Sequence, residues 1–211
     1  MTPIYVYAGD VFFTHSSTLL GRAIRWAETD SGEAPTWANH AGVIVQSGWI
    51  GPAGAYLPGC GLILNELHPQ AVVVEALWET RRGPLVLNGT LVRVFGPIPP
   101  YTPEELSRFL DAAGSFVGTR YGYWKLAGFL VKRWTKGRVD PTKWYFIDGR
   151  PICSYLAAKV SDAARKIGTI VRTVAGVLIP WGGFGVPPQA ADPDSMLDYC
   201  ESHPDEWKER V

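Results

Sequence analysis

The stretch Asn39-His40-Ala41-Gly42-Val43-Ile44-Val45 places a histidine directly before a run of apolar and β-branched residues. Such a run predicts a buried strand, so the imidazole of His40 would be held by rigid backbone at the mouth of that strand. A neutral imidazole is the usual group that takes a proton from a cysteine thiol. His40 is therefore a candidate general base, with a capping or solvent-facing histidine as the alternative. The other histidines fit that alternative, because each is predicted in a loop or tail: His15, His68 and His203.

Further strands are predicted on both sides of this stretch. Val11-Phe12-Phe13 follows a turn at Gly9-Asp10, and segments 71–76 and 90–95 are rich in valine and leucine. The connections carry no convincing crossover helix, so consecutive strands are expected to pair as an antiparallel meander. The spacing of apolar residues predicts helices at about 17–28, 103–117, 123–134 and 152–167. The expected fold class is α+β, a small antiparallel sheet packed with helices.

Cys153 stands at the predicted start of a helix, in Arg150-Pro151-Ile152-Cys153-Ser154. Pro151 fixes a turn before the helical pattern, so the thiol would lie where unpaired N–H groups and the helix dipole favour a thiolate. The same N–H groups would stabilise an oxyanion as it forms. Cys153 is therefore the candidate nucleophile. A buried structural cysteine, the more frequent fate of a free thiol, is the alternative.

A single carboxylate, Glu75, interrupts the apolar strand segment Val72-Val73-Val74-Glu75-Ala76. A carboxylate in such a setting is costly unless it has a partner. An imidazole on a neighbouring strand would be one, and the carboxylate would then orient the ring through its second nitrogen. An outward-facing acid on an edge strand is the alternative.

Taken together, several short blocks resemble the circularly permuted NlpC-type papain-like cysteine hydrolases. The bacterial YiiX-like proteins are the nearest group, and the lecithin:retinol acyltransferase-like proteins are a more distant branch. The blocks run from Gly9 to about Val160 and keep the family's order, in which the histidine precedes the cysteine. They are Gly9-Asp10-Val11-Phe12, Asn39-His40-Ala41-Gly42-Val43-Ile44, Val74-Glu75-Ala76, Tyr121 and Ile152-Cys153-Ser154-Tyr155-Leu156.

The resemblance implies a permuted papain-like core and a role for each matched residue. Cys153 would be the nucleophile, His40 the general base and then general acid, and Glu75 the orienting residue. Tyr121 would help form the oxyanion hole, but it lies 32 residues before Cys153, so Tyr123 and Tyr145 remain alternatives. The residues expected to bind substrate are Asp10, Asn39, Ser154 and Trp124.

The chain of 211 residues suits one domain with an insertion, a loop over the cleft and a C-terminal tail. Segment 122–149 is basic and rich in tryptophan and is expected to be an insertion that lines a substrate groove or touches a membrane surface. A plain solvated helix is the alternative. Residues 170–189, which contain several Gly and Pro, suggest a loop over the cleft. From about residue 190 the chain is polar and acidic and predicts a surface tail.

Composition and missing motifs exclude several functional classes. Lys and Arg number 20 and so do Asp and Glu, so no overall charge favours nucleic acid as a partner. Three cysteines without a CxxC pair predict neither a disulfide framework nor a structural zinc site. GxSxG, Walker A and HExxH motifs are absent from the sequence. The expectation is that no metal or organic cofactor is needed.

The sequence thus predicts a cysteine hydrolase that acts on an amide or ester bond through a thioester. Its expected substrate is a peptide, a cell-wall amide or a lipid acyl group. Two alternatives remain: a lipid acyltransferase or phospholipase with peripheral membrane contact, and a non-enzymatic binding module on the same fold. The N-terminal residues lack the basic segment and apolar run of a secretory signal, and no apolar stretch is long enough to cross a bilayer. We therefore expect a soluble protein whose location is cytoplasmic or unknown, and a role at a membrane surface stays open.

Overall fold

A computed structural model describes the chain in parts. Its described residues are 4–15, 22, 25, 37–50, 71–75, 91–119, 131, 134, 135, 138, 139, 153–165, 171–174, 177–180, 183–185, 188 and 191–210. The strands are β1 (Ile4–Val6), β2 (Val11–His15), β3 (His40–Gln46), β4 (Gly48–Ile50), β5 (Val72–Glu75), β6 (Leu91–Pro97), β7 (Val171–Val174), β8 (Val177–Pro180) and β9 (Trp207–Glu209). The helices are α1 (Pro103–Phe116), α2 (Cys153–Arg165) and α3 (Pro193–Ser202).

The main sheet has five strands in the order β5-β3-β2-β6-β9, and all neighbouring pairs are antiparallel. Two smaller antiparallel pairs, β1–β4 and β7–β8, complete the described strands. Helices and antiparallel strands in one chain confirm the α+β class at this level. The predicted antiparallel meander is confirmed for the pairs β2–β3 and β3–β5. The predicted pairing of β5 with β6 is wrong, because β6 lies beside β2. Val11, Phe12 and Phe13 are fully buried, which suits a strand with a neighbour on each side.

The alternation of side chains along β2 divides the core into two parts. Val11 and Phe13 belong to the larger cluster, which includes Phe109 of α1 and Leu156 of α2. Phe12 belongs to a smaller cluster with residues of β1, β3, β4 and β6. Both faces of the sheet are therefore covered, and the α1–α2 side is where the start of α2 meets β3.

The start of α1 follows its sequence signals. The Thr102 hydroxyl accepts a hydrogen bond from the N–H of Glu105, whose carboxylate accepts one from the Thr102 N–H in return. Pro103 occupies the first turn, where its missing N–H leaves no bond unmade. The helices predicted at 103–117 and 152–167 are thus observed at Pro103–Phe116 and Cys153–Arg165.

The predicted surface tail after residue 190 is wrong. Residues 193–202 form α3, and Trp207–Glu209 forms β9 at the edge of the main sheet. The polar composition was misleading because a few large apolar side chains carry the packing, namely Met196, Leu197, Cys200 and Trp207, all buried in the larger cluster. The loop expected at 170–189 is also corrected, since it contains the β7–β8 pair.

Parts of two other predictions lie outside the described residues. Of the helix at about 17–28, the described residues Arg22 and Arg25 are helical. Of segment 122–149, five residues are described, and Val131 and Trp134 are helical. The Trp134 side chain is 82 % exposed. Within the described ranges, no helix has the length and apolar character needed to cross a membrane.

Candidate active site

The structure brings Cys153 and His40 together, although 113 positions separate them in the sequence. His40 is the first residue of β3, and its Cα pairs with that of Thr14 in β2. Cys153 is the first residue of α2, which packs against β3. The imidazole forms a hydrogen bond with the thiol, and the backbone N–H groups of Ala41 and Ser154 also donate to the sulfur. His40 is half-buried and Cys153 is 7 % exposed.

Opposing effects act on the Cys153 thiol. Burial, the largest single influence, raises its pKa because a thiolate is poorly solvated inside the protein. The charge of His40, its hydrogen bond and the two backbone N–H groups favour the thiolate and together outweigh burial. The pKa of Cys153 therefore lies below its ordinary value. A lowered thiol pKa next to an imidazole at a helix N-terminus is the arrangement that activates a cysteine nucleophile.

Cys200 provides an internal comparison. It is 1 % exposed on α3, and burial raises the pKa of its thiol far above the ordinary value. The negative charge of Glu201 acts in the same direction. Two buried thiols of one chain are therefore shifted in opposite directions, and the difference lies in the His40 contact and the helix start. Cys60 lies outside the described residues.

Glu75 lies close to this pair in the sheet register. Its Cα pairs with that of Gly42, two positions along β3 from His40. Glu75 and His40 thus lie on neighbouring strands, as expected, and form a diagonal pair in the backbone register. Its role as the orienting carboxylate stays a prediction.

The residues expected to bind substrate fall in different places. Asp10 is buried and forms an ion pair with Arg210. It directly precedes β2, at the end opposite Thr14, the residue that pairs with His40. Asp10 and Thr14 are four residues apart, which at about 3.3 Å per residue is about 13 Å along the strand. Ser154 is next to the nucleophile, but its hydroxyl donates to the Ala191 carbonyl oxygen at 2.7 Å. Asn39 is buried beside His40, and its N–H donates to the Thr14 carbonyl oxygen at 3.0 Å.

Tyr121 and Trp124 lie outside the described residues, as do the alternatives Tyr123 and Tyr145. One of the histidines expected in a loop or tail is placed differently: His15 is the last residue of β2, where its Nδ1–H donates to the Trp37 carbonyl oxygen. His203 caps the end of α3 in the connection to β9, which agrees with the capping alternative. Among the described residues, no group of three His, Cys, Asp or Glu is placed to hold a metal ion.

Sequence reasoning missed two contributors to the site. One is the N–H of Ala41, which no sequence pattern assigns to a thiol. The other is Asp194, whose carboxylate accepts hydrogen bonds from the N–H groups of Trp37 and Ala38, directly before His40. A signal existed for its helix, because Asp192-Pro193 is a cap followed by proline, as at Thr102-Pro103.

Comparison of the chain with protein-family models, with curated protein sequences and with solved structures finds no match. The geometry of this chain is therefore the basis for its function.

Proposed function

We propose that the protein is a cysteine hydrolase or acyltransferase with Cys153 as nucleophile and His40 as its base, on a permuted papain-like core. The observation that carries the proposal is the contact between the His40 ring and a thiol whose pKa lies below its ordinary value. A merely structural buried cysteine has the opposite shift, as Cys200 does. The order of the two residues and the antiparallel sheet under them support the same interpretation.

In the proposed reaction, the proton of the Cys153 thiol passes to His40, and the thiolate attacks the carbonyl carbon of an amide or ester. In this proposal, the unpaired N–H groups at the start of α2 would stabilise the oxyanion as it forms. The His40 imidazolium then gives its proton to the leaving amine or alcohol, and a thioester with Cys153 remains. Water, or another acceptor, attacks the thioester with His40 as base, which releases the acyl group and restores the thiol. Glu75 is the proposed orienting carboxylate.

Alkylation with iodoacetamide across a pH series, followed by peptide mass spectrometry, tests the pair. In the wild type we expect Cys153 to react at a pH well below the ordinary thiol pKa, because the thiolate is the reactive form. In His40→Ala the two largest effects that favour the thiolate disappear while burial remains. The reaction of Cys153 should then require a pH above that of an ordinary thiol.

Cys200 is the internal control, since its buried thiol should stay slow at every pH in both proteins. Cys153→Ser should remove the fast-labelled peptide and leave the Cys200 signal unchanged. If Cys153 of the folded wild type reacts no faster than Cys200, the nucleophile assignment fails, and a binding module on this fold becomes the better description.

An activated ester tests acyl transfer itself. With p-nitrophenyl acetate, the wild type should release a burst of nitrophenol and carry one acetyl group on Cys153 by mass spectrometry. His40→Ala and Cys153→Ser should show neither the burst nor the adduct. A burst that persists in Cys153→Ser would place the acetyl group on another residue and reject the mechanism.

The exposure of Trp134 favours a second candidate, a lipid acyltransferase or phospholipase. This side chain is 82 % exposed, and Val131, one helical turn before it, is also exposed. Segment 122–149 holds six Lys or Arg and two Asp. An exposed tryptophan among basic residues suits the surface of an anionic membrane. Co-sedimentation with vesicles of phosphatidylserine and phosphatidylcholine, compared with Trp134→Ala, distinguishes the two candidates, since a peptide amidase needs no such affinity.

A further inference from the structure

A short C-terminal segment, Ala191–Asp194, contacts the chain next to both members of the proposed catalytic pair. The Ala191 carbonyl oxygen accepts a hydrogen bond of 2.7 Å from the hydroxyl of Ser154, the residue after Cys153. The Asp194 carboxylate oxygen Oδ1 accepts hydrogen bonds from the N–H of Trp37 at 2.7 Å and of Ala38 at 3.1 Å. One segment thus holds the beginning of α2 and the approach to β3.

The approach to β3, residues 37–39, is held by hydrogen bonds at successive peptide groups. The Trp37 carbonyl oxygen accepts a hydrogen bond of 2.8 Å from His15 Nδ1, and the N–H of Asn39 donates to the Thr14 carbonyl oxygen at 3.0 Å. Arg25 Nη1 lies close to both ring nitrogens of His15, 2.6 Å from Nε2 and 2.9 Å from Nδ1. Asp194 Oδ1 accepts hydrogen bonds from both remaining N–H groups, those of Trp37 and Ala38, and Ala38 is fully buried.

The segment that provides these contacts is itself anchored by hydrogen bonds and by buried side chains. Asp192 caps α3 by accepting hydrogen bonds from the N–H of Asp194 at 3.1 Å and of Ser195 at 2.8 Å. Met196 and Leu197, in the same helical turn, are buried in the larger core cluster. The Asp194 carboxylate is therefore held between a capped helix and the backbone that leads into His40.

We infer that Asp194 is a positioning residue, and that Ala191–Asp194 acts as a clamp that sets the distance between the His40 ring and the Cys153 sulfur. This inference rests on the proposed function. The attraction between the imidazolium and a thiolate weakens as their separation grows, and water screens it little because the Cys153 sulfur is buried and His40 is half-buried. A small displacement of residues 37–40 would weaken that attraction while burial of the thiol persists.

The test is the pH profile of Cys153 alkylation by iodoacetamide in Asp194→Ala and Asp194→Asn. The alanine variant lacks the acceptor, and we expect its profile to move to higher pH by half a pH unit or more, about threefold in rate below the midpoint. The asparagine variant keeps an oxygen that accepts both N–H groups, so its profile should stay close to that of the wild type. Ser154→Ala, which removes the other contact of the clamp, should shift the profile in the same direction.

Val94→Ala is the control for a general loss of stability, because Val94 is fully buried in the smaller cluster, away from the clamp. It should lower the urea midpoint and leave the alkylation profile unchanged. An unshifted profile in Asp194→Ala, or an equal shift in Val94→Ala, overturns the inference. If Asp194→Ala does not fold, Ser154→Ala decides. If Cys153 of the wild type is not alkylated at low pH, the proposed function itself is wrong. If Cys153 is alkylated at low pH equally in the wild type and all variants, the clamp alone is rejected.

Discussion

Arg210 and Asp10 form an ion pair across 200 residues of sequence. The guanidinium donates from Nη2 to Oδ1 at 2.8 Å and from Nε to Oδ2 at 3.1 Å, so both carboxylate oxygens are engaged. The Tyr7 N–H donates to Oδ2 at 2.8 Å from the turn before β2. Gly96 leaves the space for the pair, because a Cβ at this position would collide with both side chains. The Asp10 that the resemblance suggested for substrate binding therefore joins β9 to β2.

Arg210→Met should destabilise the fold by about 3–5 kcal/mol, because it leaves the buried Asp10 carboxylate without its counter-charge. The double variant Asp10→Asn with Arg210→Met should recover part of that loss, since no buried charge is then left unpaired. Urea denaturation at neutral pH measures both. Equal stability of the single and double variants would show that the Asp10 charge is not what makes the single change costly.

The same variant should have a characteristic pH dependence. Burial already raises the pKa of Asp10 above its ordinary value, and Arg210 is among the groups that oppose this. Removing Arg210 raises the pKa of the folded protein further. A group whose folded pKa is raised favours the folded state below its unfolded pKa and loses that contribution as pH rises through the folded pKa. The stability deficit of Arg210→Met should therefore be small near pH 4 and grow towards neutrality. A constant deficit across this range would contradict the argument.

Trp207 should be the most sensitive position in the C-terminal part of the described chain. Its ring is 3 % exposed and stacks on Phe184 at 4.9 Å between centroids. Trp207→Ala should cost about 3–5 kcal/mol through the cavity it leaves. Trp207→Phe should cost much less, because it keeps a large buried ring and no described residue accepts a hydrogen bond from the indole Nε1–H. Thermal or urea unfolding compares the two variants; equal losses would mean that the indole N–H is bonded after all.

Alanine substitutions at two glycines with positive φ distinguish the cost of backbone strain from the cost of a side-chain clash. Gly9 has φ +100°, and a Cβ there would lie 2.8 Å from Cδ2 of the Tyr101 ring. Gly118 has φ +80°, and no described residue lies within 4 Å of its Cβ position. Both alanine variants incur the strain of positive φ, about 1 kcal/mol. Gly9→Ala should lose about 1–3 kcal/mol more by displacing the ring. The difference between their urea midpoints is the measurement, and equal midpoints would contradict the ring contact.

Local patterns predicted much of this fold and both members of the candidate pair. The strand after His40, the helix start at Cys153 and the capping box at Thr102 depend on residues close in sequence, and short-range physics determines them. The place of β6 beside β2 depends on which edge of a distant strand is open, and periodicity carries no information about that. The segment of α3 and β9 was misjudged because average polarity hid a few buried side chains, although Asp192-Pro193 signals a helix start.

The pairing of β6 with β9 has a consequence for protein synthesis. Arg93 of β6 and Glu209 of β9 are 116 residues apart, which at about 5–20 residues per second corresponds to about 6–23 seconds of translation. During that interval β2 can already be paired, yet the outer edge of β6 has no partner from its own chain. An open strand edge is a template for association with other chains. A nascent chain that stalls before residue 207 would therefore aggregate with other nascent chains on the polysome, in addition to lacking activity.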